Sequence, residues 1–497
     1  MKTYCFCLTS QHQWLKVAIK LFKNNIAEPI IWLGDDIHYN KAKDIFGENV
    51  VQMLQFVHRP YTLKEINYKG QHIDFFQSKN YFRAKDKCLK MMDRLDLYGS
   101  FSRIDREVYF HNLIIWFLSR LDEKKPDFFL SVENPHSHAQ YLLYEICNYL
   151  KIPCYKFNNW PFVPLLFLEN INTKRRVLRP DNYQSTNFDK KIILIINNFV
   201  DSVLTKEDNH EMFYMKDQRE ENSILIKISS FITKGILEEY KDIKYNIGLR
   251  LFKKQSPINP YGFSYFQRSK IRYRRKKSLK KNYNLEKSLI NYSKKYVYFP
   301  LHFEPERTTN PDGNDFHDQF KVITQLRKLI PDDILLVVKE HPSQFNLAER
   351  GSRGRSQLFY KLLKNISNLK ITSIDENSIK LIKNAEFVST ITGTVALESA
   401  LLGKRALTFG DTWYRDCPNI TEFDYKINYE KFMSNDIASS DKVASFLITL
   451  NNKYSFPGYM NGIHKKSFKN FHELEFEKFQ LQNVYSVLAN FFKQNKF

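Results

Sequence analysis

The sequence predicts an α/β protein built on two parallel, doubly wound sheets. Short apolar runs alternate with segments of helical spacing, strand then helix then strand, joined by short links. That alternation occurs over about residues 1–160 and again over 296–428, with a looser stretch between. At 497 residues the chain also exceeds what one hydrophobic core organises, so two domains are the default.

In the first block, Thr3–Thr9 reads as a strand, and Gln13–Asn24 as a helix through Trp14, Val17, Ala18, Leu21 and Phe22. Pro29–Leu33 is a second strand, ending at Gly34-Asp35-Asp36. Phe128–Val132 follows Pro126-Asp127 and stops at Glu133-Asn134-Pro135-His136; helix Ser137–Leu150 and strand Cys154–Phe157 come next. From 161 to 295 the pattern loosens into a helical and basic insertion that connects the domains. It holds a strand-like Lys191–Ile196, a mostly helical stretch over 206–251, and breaks at Ser256-Pro257 and Asn259-Pro260. The second block predicts strands at Tyr296–Leu301, Ile334–Lys339, Leu369–Thr372, Phe387–Thr390 and Arg405–Thr408. Its helices fall at Asp315–Leu329, Ser356–Lys364, Ser378–Asn384 and Val395–Leu402. The tail, 429–497, is helical, and its last segment, Phe471–Phe492, is placed to cross back to the first domain.

A hydrophobic content of 43% with 41 Phe and 29 Tyr excludes a disordered chain and predicts ring-rich cores. The net charge of +22 calls for an anionic partner: a nucleotide sugar, a polyanionic glycan, a membrane surface or nucleic acid. Nine cations, Arg268, Lys270, Arg272, Arg274, Arg275, Lys276, Lys277, Lys280 and Lys281, crowd into residues 268–281. Three readings compete for this run: a solvated, mobile linker; a peripheral contact with the anionic inner face of the cytoplasmic membrane; and nucleic acid stacked on Tyr261, Phe263, Tyr265, Phe266 and Tyr273. The last is the least favoured. The six cysteines are scattered and form neither a ligand set nor a disulfide framework, which predicts a reducing compartment and no metal site. MKTYCFCLTS lacks the apolar region of a signal peptide, and no run reaches the roughly 20 apolar residues of a membrane span. A cytoplasmic protein, free or peripheral on the membrane, is expected.

The candidate chemistry sits at predicted strand ends, where open parallel sheets hold ligands. DILLVVKEHP ends at Lys339, Glu340, His341 and Pro342, and Pro342 cannot continue a ladder. A histidine there can donate to phosphate oxygens or act as an acid towards a leaving phosphate. Thr392-Gly393-Thr394 offers two hydroxyls, backbone amides and a glycine that admits a ligand close to the chain, and it opens a helix that favours an anion. An ordinary N-cap at Thr394 explains the same residues. Glu398 lies four residues on, on the face of Thr394, as a ribose acceptor or a solvated residue. FPLHFEPE places His302, Glu304 and Glu306 at the first strand end of the second block, suited to substrate hydroxyls and proton transfer. Glu133 and His136 mark the matching end in the first block, where a carboxylate can deprotonate an acceptor hydroxyl. Each residue alone is as readily structural; their shared position at carboxyl ends is what joins them. The sequence has no GxGxxG, no P-loop and no zinc spacing, which excludes the commonest dehydrogenase, kinase and metallohydrolase patterns.

FPLHFEPERTTNPDGNDFHDQ, VVKEHP and TGTVALESALLGKRALTFG resemble the capsule or surface polysaccharide biosynthesis proteins, a group of GT-B glycosyltransferases similar to bacterial Kdo transferases and, more distantly, to sialyltransferases. The resemblance covers about Tyr296–Asp411 closely; in the first domain SVENPH is its anchor. It implies two Rossmann-like domains facing a central cleft, with an acceptor domain first and a donor-nucleotide domain second. It also implies a CMP-activated sugar acid, such as Kdo or a related nonulosonic acid, as substrate, and no metal or other cofactor. Donor phosphate and ribose would fall to His341 with Pro342, to Thr392, Gly393 and Thr394, and to Glu398. Glu133 would match the acidic residue of the first domain, though no acidic-acidic-glycine motif accompanies it. The expected activity is transfer of that sugar to a glycan or glycolipid acceptor in capsule or lipopolysaccharide biosynthesis. Two alternatives stay open: a teichoic-acid-type polyol-phosphate transferase using CDP-glycerol, and a non-enzymatic basic protein that binds polysaccharide or nucleic acid.

Overall fold

The hydrophobic pattern of the chain is resolved into two separate sheets in the computed structural model. It describes residues 1–7, 12–34, 38–52, 70, 72–95, 102–180, 183, 187–205, 232–233, 235–237, 240, 265–345, 350–461, 468, 471 and 474–494. One unit is built mainly from Met1–Ile195 and Thr449–Phe497, the other mainly from Tyr261–Ile448. Among the described residues no helix is long and apolar enough to cross a membrane.

The first sheet is ordered β13-β6-β5-β4-β1-β2-β3, from strands β1 (Lys2–Cys7), β2 (Ala27–Gly34), β3 (Val50–Gln52), β4 (Phe128–Ser131), β5 (Cys154–Asn159), β6 (Leu165–Asn170) and β13 (Phe456–Pro457). Strands β1 to β5 run parallel, whereas β6 and β13 pair antiparallel at one edge. Period-two alternation divides β1 between two cores: Cys5 and Cys7 enter one, Tyr4 and Phe6 the other. Helix Leu474–Gln494 covers the second of these, with Phe492 5.4 Å from Tyr4 and Phe491 5.2 Å from Phe128 between ring centroids. This C-terminal helix is therefore part of the first unit's core.

The second sheet contains β7 (Tyr296–Pro300), β8 (Leu335–Lys339), β9 (Leu369–Ile371), β10 (Val388–Thr390), β11 (Ala406–Thr408) and β12 (Ile420–Glu422). Its order is β12-β11-β10-β7-β8-β9, all parallel. Numbered from β7, that is the 3-2-1-4-5-6 order of dinucleotide-binding sheets, with its reversal between β7 and β10. Both faces are apolar, as a covered parallel sheet requires. Tyr296, Tyr298, Leu335 and Val337 fill one core; Val297, Phe299, Leu336 and Val338 fill the other.

Three expectations change. Lys191–Ile196 is not a strand but part of helix Asn187–Thr205, in which Ile192, Ile196, Phe199, Val200 and Val203 are buried at helical spacing. A six-residue apolar window does not separate the two states. The basic run is not a mobile linker: it forms helix Tyr265–Glu286, which buries Lys276, Leu279 and Tyr283, the last two in the core of the second unit. Helices Lys79–Leu95 and Arg103–Glu123, with β6 and β12, were not anticipated. The helical expectation over 206–251 falls mostly outside the described residues, as do the 256–260 breaks, Thr9, Asp35 and Asp36.

Candidate active site at the carboxyl edge of the second sheet

Three segments leave this edge side by side: 301–312 after β7, 340–345 after β8 and 391–394 after β10. His302 links the first to the third. Its Nε2 accepts the Ile391 and Thr392 amides at 3.2 and 3.3 Å and lies 3.0 Å from the Thr390 hydroxyl. An acceptor at Nε2 places the ring proton on Nδ1. Burial, then the neighbouring His341 and Arg355, pushes the His302 pKa down to about 3. The imidazole is neutral, and its acceptor nitrogen is spent on the turn.

Arg355, absent from the sequence reading, braces the second connection. Its guanidinium donates to the His302 carbonyl at 2.9 Å and to both Glu340 carboxylate oxygens, at 3.0 and 3.2 Å. Glu340 also accepts from the Tyr360 hydroxyl at 2.6 Å and from the His341 amide at 2.8 Å. The carboxylate is buried, so this network faces the protein interior and not a ligand. Gln319 and Gln344 complete the bracing: Gln319 pairs with the His302 backbone and donates to Glu304, and Gln344 pairs with the Glu304 backbone. Gly354 lies so close to the Glu304 carbonyl that an added Cβ would sit 2.1 Å from it.

His341 is half-buried, and its Nδ1 accepts the Ser343 amide at 3.2 Å. That bond leaves the proton of the neutral ring on Nε2, a hydrogen-bond donor. Burial first, then Arg355 and Lys339, lowers its pKa to about 4, so the ring is neutral at pH 7. Lys339 is buried and donates to the Glu376 carbonyl and, at 2.9 Å, to the Ser378 hydroxyl. Burial lowers its pKa to about 8.

In the 392–394 turn, Thr392 donates to the Thr308 carbonyl at 2.7 Å, and the Gly393 amide donates to the Thr390 hydroxyl at 3.2 Å. Thr394 does not cap the helix; its hydroxyl lies 3.2 Å from a Glu398 carboxyl oxygen. Two of the amides expected to meet an anion, those of Thr392 and Gly393, already have partners within the protein, as does the amide of Ile391. The helix, Val395–Leu401, has seven residues. Burial pushes Glu398 up to about 7 against the opposing hydrogen bond from Thr394. Glu304 is likewise raised by burial, with Arg355 and Gln319 opposing, whereas Glu306 is exposed and accepts from Thr308. Pro342 begins a short 3-10 turn, Pro342–Phe345, directly after β8.

Glu133 and His136 belong to the first unit, after β4. Glu133 is buried 3.7 Å from His136 Nδ1, which is also 3.1 Å from the Asn134 carbonyl. The second unit thus gathers His302, Glu304, Lys339, Glu340, His341, Thr392, Gly393, Thr394 and Glu398, and Glu133 and His136 form a separate pair. Sequence reasoning missed Arg355, Gln319, Gln344, Thr390 and Tyr360; the closely spaced Gly351 and Gly354 just before Arg355 were the available signal. Among the described residues no group of three or more His, Cys, Asp or Glu is placed to hold a metal.

Two Rossmann-like units, the second with polar loops at its topological switch point, fit the GT-B-like fold class. Residues 224–433 match the family described as capsule polysaccharide biosynthesis protein, the family to which the KEHP and TGT segments pointed. A 105-residue stretch, 21% of this chain, is 32% identical to Protein FixF of Sinorhizobium fredii (strain NBRC 101917 / NGR234) and spans 23% of that protein's length. Among solved structures, the beta Kdo 2,7 transferase KpsC of Thermosulfurimonas dismutans aligns over 99% of both chains at 10% identity and a TM-score of 0.32. UDP-GlcNAc 2-epimerase of Methanocaldococcus jannaschii aligns over 90% of this chain and 99% of its own, at 12% identity and a TM-score of 0.23.

Proposed function

We propose that this protein is a glycosyltransferase of capsule or surface polysaccharide biosynthesis whose second unit holds a nucleotide-activated donor. The observation that carries the reading is the neutral His341, which presents Nε2–H at the carboxyl edge of a 3-2-1-4-5-6 sheet beside the loops that His302 and Arg355 fix. A neutral donor held by a braced backbone can stabilise charge growing on a departing phosphate oxygen without reorganising. It works there as a hydrogen-bond donor and not as a proton source, because its pKa lies well below neutrality. Glu398, poised near neutrality beside Thr394, suits a ribose hydroxyl. His302 and Glu340 take positioning roles in this reading, and Glu304 carries the polar lining.

The donor is a CMP-linked sugar acid, Kdo or a related nonulosonic acid, and the acceptor a glycan or glycolipid. The bond from anomeric carbon to phosphate oxygen breaks, the acceptor oxygen bonds to that carbon, and a carboxylate takes the acceptor proton. Glu133 is the proposed base, supported by its position at the end of β4 and its neighbour His136. The motif resemblance extends the reading to metal-independent transfer, which requires activity to survive a chelator. A thermal-shift panel of CMP, CDP, UDP and GDP, each free and as its sugar or glycerol conjugate, tests the donor. Stabilisation by CMP and its sugar-acid conjugate is expected. A response confined to CDP-glycerol would redirect the site to polyol-phosphate transfer, and one confined to uridine or guanosine donors would contradict the cytidine assignment.

A further inference from the structure

Helix Tyr265–Glu286 carries nine cations and one acid, and that acid, Glu286, is already paired with Lys364 at 3.1 Å. Its inward side is narrow: Lys276, Leu279 and Tyr283 are buried, whereas Lys270–Arg275, Lys277, Lys280 and Lys281 are exposed. Helical spacing puts Tyr273, Lys277, Lys281 and Leu285, four residues apart, on one outward stripe. Tyr273 is 49% and Leu285 66% exposed, and Leu289, just past the helix, is 90% exposed. Lys277, Lys280, Lys281, Asn284 and Leu285 line a groove of about 370 Å³ on this surface.

We infer that this helix face docks on an anionic lipid bilayer, its lysines and arginines meeting phosphate headgroups while Tyr273, Leu285 and Leu289 enter the interfacial layer. Charge complementarity selects an anionic partner. The exposed aliphatic groups select a bilayer over a nucleic acid, since Ile271, Leu285 and Leu289 have no base to pair with but lose water at an acyl boundary. The inference rests on this surface alone and stands or falls independently of the donor site.

The test is co-sedimentation of the full-length protein with phosphatidylcholine vesicles, with and without phosphatidylglycerol, and with single-stranded RNA as competitor. Wild type is expected to pellet with the anionic vesicles alone. Neutralising Lys270, Arg274, Lys277 and Lys281 to Gln is expected to weaken partitioning by roughly a hundredfold or more, at about 1 kcal/mol per charge. Tyr273→Ser with Leu285→Ser is expected to weaken it several-fold while keeping the preference for phosphatidylglycerol. Circular dichroism and melting temperature confirm that both variants fold. Equal binding to neutral vesicles, unchanged binding by either variant, or complete displacement by RNA would overturn the proposal.

Discussion

The two sheets share a parallel core of the same order, β3-β2-β1-β4-β5 in one and β9-β8-β7-β10-β11 in the other, yet their carboxyl edges are finished differently. After β4 the first unit has a carboxylate and a histidine 3.7 Å apart at the head of a capped helix. After β7, β8 and β10 the second has a buried lattice in which Arg355, Glu340, Gln319, Gln344 and His302 hold three loops to one another. Topology offers a ligand crevice at both edges. The difference shows where the backbone geometry is over-determined, and a preorganised phosphate site needs that.

Arg355→Met strikes the comparison hardest. It leaves Glu340 buried without its countercharge, and the expected loss is about 3–5 kcal/mol of stability, read by denaturant unfolding. A loss below about 1 kcal/mol would show that the lattice does not brace the second unit. Next come the two edges as chemistry. His341→Ala is expected to lower transfer by roughly 10²–10³ with the fold intact. Glu133→Gln is expected to lower it by roughly 10²–10⁴ while leaving nucleotide affinity unchanged, and weaker nucleotide binding in that variant would contradict the division of labour.

The smallest effect is a pH dependence confined to the second edge. Glu398 has a folded-state pKa of about 7, above its ordinary 4.5. Its stabilising contribution is therefore complete below pH 4.5 and lost as pH rises through 7. Relative to Glu398→Gln, the wild type should lose up to about 3 kcal/mol across that window. Parallel stability curves for the two proteins would place the carboxyl in contact with solvent.

Period and strand-end chemistry made much of this legible. The strands of the second sheet carry apolar residues on both faces, and their ends, KEHP and TGT, stand out because polar residues interrupt those runs. The lattice behind them was not legible. Arg355 reaches Glu340 across 15 residues and His302 across 53, and no local pattern records such a pairing. Thr392 and Gly393 looked like free donors because sequence does not reveal that His302, 90 residues away, takes the Thr392 amide, or that the Thr390 hydroxyl turns to take that of Gly393. Lys191–Ile196 looked like a strand because its helical period shows only when Phe199, Val200 and Val203 are read with it.

Calorimetric titration of CMP into the wild type and His341→Ala tests the donor assignment most directly. Saturable binding to the wild type, weakened at least tenfold in the variant by loss of one phosphate donor worth about 1.5–3 kcal/mol, is the predicted result. Equal affinity for both proteins, or no binding to the wild type, would contradict a donor site at His341.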